Sequence, residues 1–436
     1  MKFATASSAR HSPSARRAII ATVIGNGLEW YDFTVYGFFS VIIAKVFFPS
    51  DSELTSYLLA LATFGVGFFM RPVGGVLLGI YGDKLGRKAA LTATIALMAL
   101  GTLIIAVAPT YAQIGVAAPI LIVVARLLQG FSAGGETGTA TSFLIQYAPP
   151  GRKTYYSSLV QVSSGVAILL GSVTGFVLST CLSSEQLESW GWRVPFIIGT
   201  LIAPVGWYIR RQIDEMPLPG AGHENHSPLA EVLREYRKEV LISFALVVLW
   251  TVCTYAILFY IPSYASRILG MPTWMGFTGA MVAALMMVVV TPIVGKLADL
   301  HGRRPFLLGS ALATLICAYP LFLMINVWNG LASLVLFELV FGMLIGIYMG
   351  PILAAMSELL PNHVRSTGMS LAFNLAVTIF GGFAGFTITW LISSTGSNLT
   401  PALYIMFAES VSLIGAIYYR EADQPSVSYV KCGVYK

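Results

Sequence analysis

Twelve blocks of almost unbroken apolar sequence follow one another along this chain of 436 residues. A helix needs about 20 such residues to cross a hydrocarbon layer roughly 30 Å thick. No water-exposed surface could cover so much apolar sequence, because 56% of the residues are hydrophobic and only 11% are charged. We therefore predict an all-α polytopic membrane protein, with spans near 18–47, 55–82, 89–108, 114–147, 155–180, 194–209, 239–263, 275–299, 305–327, 331–360, 367–393 and 400–419.

The Lys and Arg residues lie in short clusters between the apolar blocks, although the formal net charge is +6. This distribution argues against nucleic-acid binding and is typical of residues that set membrane topology. A cytoplasmic N-terminus puts 21 of the 26 Lys and Arg residues in cytoplasmic segments or at their edges. We expect a multi-pass protein of the cell inner (plasma) membrane with both termini in the cytoplasm. The five exceptions are Lys45, Arg71, Arg126, Arg193 and Arg267.

One ten-residue pattern recurs in the two halves of the chain. GIYGDKLGRK follows the second span from Gly79, and GKLADLHGRR follows the eighth span from Gly295, which is 216 residues later. Repeated halves with a site between them near the midplane are a transporter architecture. We predict a cytoplasmic tail at 1–17, a six-helix bundle at 18–209, a cytoplasmic central loop at 210–238, a second six-helix bundle at 239–419 and a cytoplasmic tail at 420–436.

The repeated pattern, G-x-x-x-D-x-x-G-R-[K/R], places one acid and two bases in a tight turn between two helices. Asp83 of the first copy could pair with a helix N-terminus or a base in one conformation and release it in another. The alternative is a plain topological anchor of basic residues. We favour gating because the pattern is repeated. The predicted gating residues of the two copies are Asp83, Gly86, Arg87, Lys88, Asp299, Gly302, Arg303 and Arg304.

Two acids lie three residues apart in the first span, so Glu29 and Asp32 share one helix face. A carboxylate at membrane depth costs several kcal/mol unless it is paired, hydrated or protonated. All five histidines lie in predicted cytoplasmic segments, so carboxylates must carry any coupled proton. We predict a proton-coupling role for Asp32 or Glu29, with Glu136 in the fourth span as the next candidate. The alternative is that these acids are fixed ion-pair partners.

Two arginines lie at membrane depth. Arg71 precedes Asp83 by 12 residues, about 18 Å along a helix, and Arg126 lies inside the fourth span. A guanidinium stays charged and binds a carboxylate through two parallel hydrogen bonds. The pair predicts an electropositive pocket for an anionic substrate, and the alternative is neutralisation of nearby acids for folding. Further residues predicted to line the cavity are Asn26, Gln161, Ser157, Tyr255, Tyr348 and Asn374, although any one of them could instead bond two helices together.

The repeated loop pattern resembles the signature of the major facilitator superfamily. Five further segments resemble the metabolite:proton symporter family within it, and the run IYMGPILAAMSELLPNHVRS is most similar to its citrate and tricarballylate carriers. The five segments are GNGLEWYDFTVYG from Gly25, MRPVGG from Met70, RLLQGFSAGGE from Arg126, SWGWRVPF from Ser189 and ELLPNHVRSTGMSLAFNLAVTIFGG from Glu358. The resemblance implies two pseudo-symmetric six-helix bundles that work by alternating access, and it adds Arg365 to the gating residues.

Two residues depart from the pattern of that family. Gln146 stands where relatives often have Glu at the cytoplasmic end of the fourth span, which puts part of the gating charge network in doubt. Thr137 stands where an aromatic or aliphatic residue is common, and it could tune the substrate.

Several other classes of activity lack the residues they need. Residues 130–134 match the hydrolase pattern G-x-S-x-G, but they lie in an apolar helix and no predicted span contains a histidine. There is no P-loop, dinucleotide-binding or zinc pattern, so we expect no enzyme activity, no ATP, no metal and no cofactor.

The sequence predicts proton-coupled uptake of a di- or tricarboxylate such as citrate, by a protein that we expect to be a monomer. The alternatives are symport of 2-oxoglutarate, of shikimate or of the osmolytes proline and betaine, and a sensor of the same fold that binds a metabolite without moving it.

Overall fold

The computed structural model describes residues 13–85, 87–211 and 228–421, and within these ranges the regular structure is helical, with no strand. Nine of the described helices are long and apolar enough to cross a membrane, and the bent pair Thr22–Phe38 and Ser40–Phe47 makes a tenth. The helices Arg87–Val107 and Arg193–Arg211 coincide with the remaining two predicted spans, the third and the sixth. The predicted all-α membrane fold is confirmed.

The spans are numbered here in chain order, and the first six are called the N-terminal half. Their helices are Pro13–Phe38 with Ser40–Phe47, Glu53–Leu85, Arg87–Val107, Ala117–Ala133 with Glu136–Tyr147, Lys153–Cys181 and Arg193–Arg211. Spans seven to twelve, the C-terminal half, are Arg237–Cys253 with Thr254–Phe259 and Ile261–Arg267, Thr273–His301, Arg304–Val327, Leu331–Leu359, Arg365–Ala376 with Val377–Gly381 and Ala384–Thr395, and Thr400–Tyr418. Short helices at Tyr111–Ile114, Ser184–Gln186 and Pro228–Glu235 lie between spans.

The second and fourth spans touch backbone to backbone. A Cβ atom added to Gly130 would lie 1.7 Å from the carbonyl oxygen of Gly67, and one added to Gly74 would lie 1.8 Å from that of Phe131. Glycine is therefore required at both positions, since any side chain would force the helices apart. This contact brings together the helix segments that carry Arg71 and Arg126.

Two spans of the C-terminal half contain π-helical turns, at Thr254–Phe259 in the seventh and Val377–Gly381 in the eleventh. Turns of this kind occur often at functional sites, because they redirect side chains within a continuous helix. Tyr255 in the first turn packs on Gly381 in the second, where an added Cβ would lie 2.7 Å from its ring. The two turns thus place the Tyr255 ring between the seventh and eleventh spans.

The two halves contact each other at both ends of the bundle. At the end that carries Asp299, called the basic end below, the eighth span meets the start of the fifth. At the opposite end, the Phe277 ring lies 5.6 Å from that of Phe38, and the Arg267 Cζ atom lies 4.4 Å from the centre of the Tyr57 ring.

Candidate functional site

Arg71 is buried in an aromatic slot, where only 1% of its surface is exposed. Its Cζ atom lies 4.7 Å from the centres of both the Phe33 and Phe68 rings. Its Nη2 atom lies 3.4 Å from Oε1 of Glu29. The ring faces and the carboxylate together stabilise a cation that would be costly to bury alone.

Arg126 is fully buried beside it, against three rings of the N-terminal half. Its Cζ atom lies 4.5 Å from the centre of the Tyr36 ring, 4.8 Å from that of Phe64 and 5.0 Å from that of Phe33. Its Nη1 atom donates to Oε1 of Gln129 at 2.7 Å, whereas Nε and Nη2 have no hydrogen-bond partner. A buried guanidinium with unused donors is a site for an anion.

A chain of hydrogen bonds leads from Arg126 to Asp32. After the first link to Gln129, its Nε2 atom donates to Oγ1 of Thr102 at 3.0 Å, and that hydroxyl donates to Oδ2 of Asp32 at 2.5 Å. Arg126 and Asp32 form no direct ion pair, so hydrogen bonds link the fourth span to the first through Thr102 of the third. Sequence reasoning missed both intermediates. Gln129 could have been found from its position one turn after Arg126, but nothing in the sequence distinguishes Thr102.

The two acids of the first span line one pocket, as their spacing indicated. Met98 of the third span, Ser132 of the fourth and Gly199 of the sixth also line it. Oδ1 of Asp32 would lie 2.6 Å from a Cβ atom at Gly199, so the sixth span packs directly on this carboxylate. The side chain of Glu136 lies outside the described residues.

The C-terminal half presents aromatic groups to the two arginines. The Tyr255 ring lies 5.4 Å from that of Phe68 and 6.4 Å from that of Trp30, against which it stacks. Its hydroxyl is buried and has no hydrogen-bond partner. The Phe373 ring lies 6.0 Å from Cζ of Arg71. The site thus lies between the halves, and its basic and acidic groups come from the N-terminal half.

The other residues predicted to line the cavity separate into two groups. Gln161 resembles Tyr255 in that its side-chain nitrogen and oxygen are buried without partners. Three of the others bond one helix to another: the amide nitrogen of Asn26 donates to the Val160 carbonyl, Ser163 and Ser164, that of Asn374 donates to the Gly134 carbonyl, and the Tyr348 hydroxyl donates to the Leu246 carbonyl. The Ser157 hydroxyl donates to the Thr154 carbonyl within its own helix.

The second copy of the loop pattern bridges the halves at the basic end. Asp299 accepts the backbone N–H groups of Thr154 at 2.8 Å and Tyr155 at 2.9 Å, which open the helix of the fifth span. These groups have no partner inside their own helix, and the positive end of its dipole favours a carboxylate there. Arg303 donates from Nε to the Thr154 hydroxyl at 2.9 Å and pairs through Nη1 with Glu358 at 2.6 Å.

The remaining predicted gating residues make their contacts within the C-terminal half or lie outside the described residues. Gly302 has a φ of 86°, which a residue with a side chain rarely adopts. Arg304 donates to the Ile417 carbonyl, and Arg365 donates to that of Ser357. In the first copy, Gly86 and the side chains of Asp83, Arg87 and Lys88 lie outside the described residues.

The chain matches the model of the Major Facilitator Superfamily over residues 22–386. It is 37% identical to a citrate-proton symporter of Salmonella typhi over 92% of its own length and 94% of the relative. A citrate-proton symporter of Klebsiella pneumoniae is 35% identical over 93% of this chain and 92% of the relative. A proline/betaine transporter of Escherichia coli K12 is 33% identical over 94% of this chain and 84% of the relative. The predicted resemblance to the citrate carriers is confirmed.

Solved structures agree on the fold. The partially occluded, inward-open xylose transporter XylE of E. coli superposes with a TM-score of 0.74 at 16% identity, over 93% of this chain and 97% of that one. A second structure, of the D-xylose-proton symporter, gives 0.73 at 16% identity over 93% and 98%. At this identity the likeness concerns the arrangement of helices alone.

Proposed function

Because the chain belongs to the major facilitator superfamily, a family of membrane transporters and not of enzymes, we propose that it imports a di- or tricarboxylate such as citrate together with protons. Its multiple apolar helices make it a multi-pass membrane protein. We propose the bacterial inner membrane as its location, with the basic end in the cytoplasm and the polar stretch 210–238 as the cytoplasmic link between its two bundles.

The observation that carries this proposal is the unused edge of the Arg126 guanidinium. Nε and Nη2 lie along one edge of the fork, and both lack a partner although the residue is fully buried. That edge matches the two oxygens of a carboxylate. Arg71 places a second positive charge in the same slot, since both guanidiniums contact the Phe33 ring. Although Nη2 of Arg71 pairs with Glu29, its Nε atom has no hydrogen-bond partner, so both guanidiniums keep unused donors for a substrate with more than one carboxylate.

Proton coupling follows from the charge of such a substrate. The inward-negative membrane potential opposes anion entry by about 2.3 kcal/mol per net charge per 100 mV. Each co-transported proton cancels one negative charge and removes that cost. We assign proton binding to Asp32, with Glu29 and Glu136 as the other candidates. Substrate contact is assigned to Arg126 and Arg71, joined by Gln161 and Tyr255, whose buried side-chain polar atoms have no hydrogen-bond partner in this structure.

A proline or betaine carrier is the second candidate, and a specific cluster favours it. The rings of Trp30, Phe64, Phe68 and Phe259 surround that of Tyr255 at 5.2 to 6.4 Å. A quaternary ammonium binds the faces of such rings. Arg126 could then hold the single carboxylate of the zwitterion.

A competition experiment in proteoliposomes decides between these substrates. Uptake of radiolabelled citrate is measured under an inward proton gradient, with unlabelled citrate, tricarballylate, 2-oxoglutarate, shikimate and betaine as competitors. The proposal is supported if only the carboxylates compete with labelled citrate. It is overturned if only betaine competes, or if betaine is the only compound taken up. Exchange of labelled for unlabelled citrate across the bilayer separates a carrier from a sensor, which binds without exchange.

A further inference from the structure

We propose that the Thr102 hydroxyl couples the protonation of Asp32 to the charge that Arg126 offers a substrate, so that the protein binds a carboxylate after Asp32 has taken up a proton. This inference rests on the proposed function and identifies the side chain that links its proton site to its substrate site. Thr102 acts as a positioning residue, since it contacts the proton-binding acid and not the substrate.

The first support is the direction of the hydrogen bonds. Arg126 donates to Gln129, Gln129 donates to Thr102, and Thr102 donates to Asp32, at 2.7, 3.0 and 2.5 Å. All three bonds point from the cation toward the carboxylate. In a buried site such bonds polarise one another, so an anionic Asp32 balances Arg126 through two neutral side chains.

The second support is that the Thr102 hydroxyl has two acceptors for its one proton. Its Oγ1 atom lies 2.5 Å from Oδ2 of Asp32 and 3.0 Å from the Met98 carbonyl oxygen. A hydroxyl donates one hydrogen bond and accepts two. With Asp32 ionised, the hydroxyl donates to the carboxylate. With Asp32 protonated, the acid donates to Oγ1 and the hydroxyl turns to Met98. Gln129 donates to Oγ1 in both states, so the two states differ by a single proton, the one on Asp32.

Few other charges face Asp32 in the described part of the chain. Arg126 faces it from the fourth span, and Tyr31 and Glu29 lie near it on the first. The third span contributes Thr102 and the sixth contributes Gly199, neither of which ionises. Thr102 is the only hydrogen-bond donor to Asp32 among the described residues.

The order of binding follows from this geometry. While Asp32 is ionised, the charge of Arg126 is already balanced, and a substrate carboxylate at its free edge competes with that balance. Protonation of Asp32 removes the anionic end of the chain, and Glu29 does not replace it because it pairs with Arg71. The substrate carboxylate then becomes the counter-ion of Arg126. Coupling between the two sites is reciprocal, so a bound substrate also holds the proton on Asp32.

The test is the pH dependence of citrate binding to the full-length protein in nanodiscs, from pH 5.5 to 8. Thr102→Val removes the hydroxyl with little change in shape, and Thr102→Ser keeps it as the matched control. The citrate affinities of the wild type and the variants are compared at the same pH, so the titration of citrate itself affects all of them equally and cancels. For each unit by which the pH rises, we expect the citrate affinity of the wild type to fall by up to about tenfold more than that of Thr102→Val. Thr102→Ser should follow the wild type.

The outcomes distinguish this inference from the function on which it rests. If Thr102→Val binds citrate with the pH dependence of the wild type, the coupling role is wrong and the proposed function stands. If the wild type binds no carboxylate at any pH, the proposed function fails and the ordered mechanism fails with it. Should Thr102→Val not fold, Gln129→Met breaks the next link and must flatten the pH dependence in the same way.

Discussion

The Asp299 carboxylate accepts the backbone N–H of Thr154 at 2.8 Å across the interface between the two halves. The acid belongs to the last turn of the eighth span, and the N–H belongs to the first turn of the fifth. Because this contact joins the two halves at the basic end, we expect it to break if that end opens. This is the kind of contact that the repeated loop pattern predicted.

Asp299→Asn should therefore favour opening of the basic end. The change removes the charge that interacts with the helix dipole, an effect of about 0.3 to 2 kcal/mol, or roughly a 2- to 30-fold shift between conformations. We expect slower turnover with citrate affinity unchanged within a few-fold, measured by uptake and binding in parallel. A large loss of affinity at normal turnover would point instead to a substrate contact and sink the gating role. Asp83→Asn tests the first copy in the same way.

Replacement of Arg126 should weaken carboxylate binding severely. Truncating one partner of a buried charged pair costs about 2 to 5 kcal/mol, or roughly 30- to 5,000-fold in affinity. We expect that loss in Arg126→Gln and a smaller one in Arg126→Lys, which keeps the charge without the planar fork. Lys45→Gln is the control, since Lys45 pairs with Glu188 at an exposed position. Normal citrate binding by well-folded Arg126→Gln would reduce Arg126 to a structural counter-ion.

Asp32→Asn should separate proton movement from substrate movement. The amide cannot take up a proton, so uptake driven by a pH gradient should disappear. Exchange of citrate needs no net proton movement and should survive. Both are measured in the same proteoliposomes. If Asp32→Asn still accumulates citrate in response to the gradient, the proton binds elsewhere, and Glu29→Gln and Glu136→Gln are the variants to compare next.

Glu29→Gln should lower stability more than Asp32→Asn does. The first change leaves the buried Arg71 guanidinium without its carboxylate partner, and breaking a buried pair costs about 3 to 5 kcal/mol. The second change keeps a hydrogen bond to Thr102, because an amide oxygen still accepts it. Thermal unfolding in detergent reports the difference. Equal melting temperatures for the two variants would show that the Arg71–Glu29 pair contributes little to folding.

Gly130→Ala should prevent stable folding, because its Cβ atom would collide with the Gly67 backbone at 1.7 Å. Gly309→Ala is the matched control, since an added Cβ there meets nothing within 4 Å. Alanine favours a helix over glycine by about 1 kcal/mol, so the control should fold at least as well as the wild type. Expression level and melting temperature are the measurements, and a wild-type melting temperature for Gly130→Ala would contradict the backbone contact.

The sequence was most informative where one physical rule dominates. Block lengths predicted the spans because only a helix satisfies its backbone inside a membrane. Charge at membrane depth singled out Arg71, Arg126, Glu29 and Asp32, since burying a charge is costly. The structure brings these four together, although their roles remain predictions.

Other features were not predictable because their chemistry is common in helices. Thr102 looks like any threonine of an apolar span, and only its neighbours make it a link between Gln129 and Asp32. The π-helical turn that places Tyr255 arises from a shift in backbone hydrogen bonding, which leaves no periodic signal. Asn26 was predicted to line the cavity, but in this conformation its amide nitrogen bonds the fifth span, because a polar group in a dry interior bonds to whatever acceptor is nearest.

The glycine contact between the second and fourth spans constrains the distance between the two arginines of the site. The helices meet through Gly67, Gly74 and Gly130 with no side chain between them, so neither helix can slide or tilt without breaking the contact. We therefore expect the separation of the Arg71 and Arg126 backbones to change little between conformations, so that any adaptation to a substrate would come from the other spans. If the substrate is a di- or tricarboxylate, as we propose, a molecule whose carboxylates are spaced to fit would reach both guanidiniums, and one with a shorter or longer spacing would reach a single guanidinium.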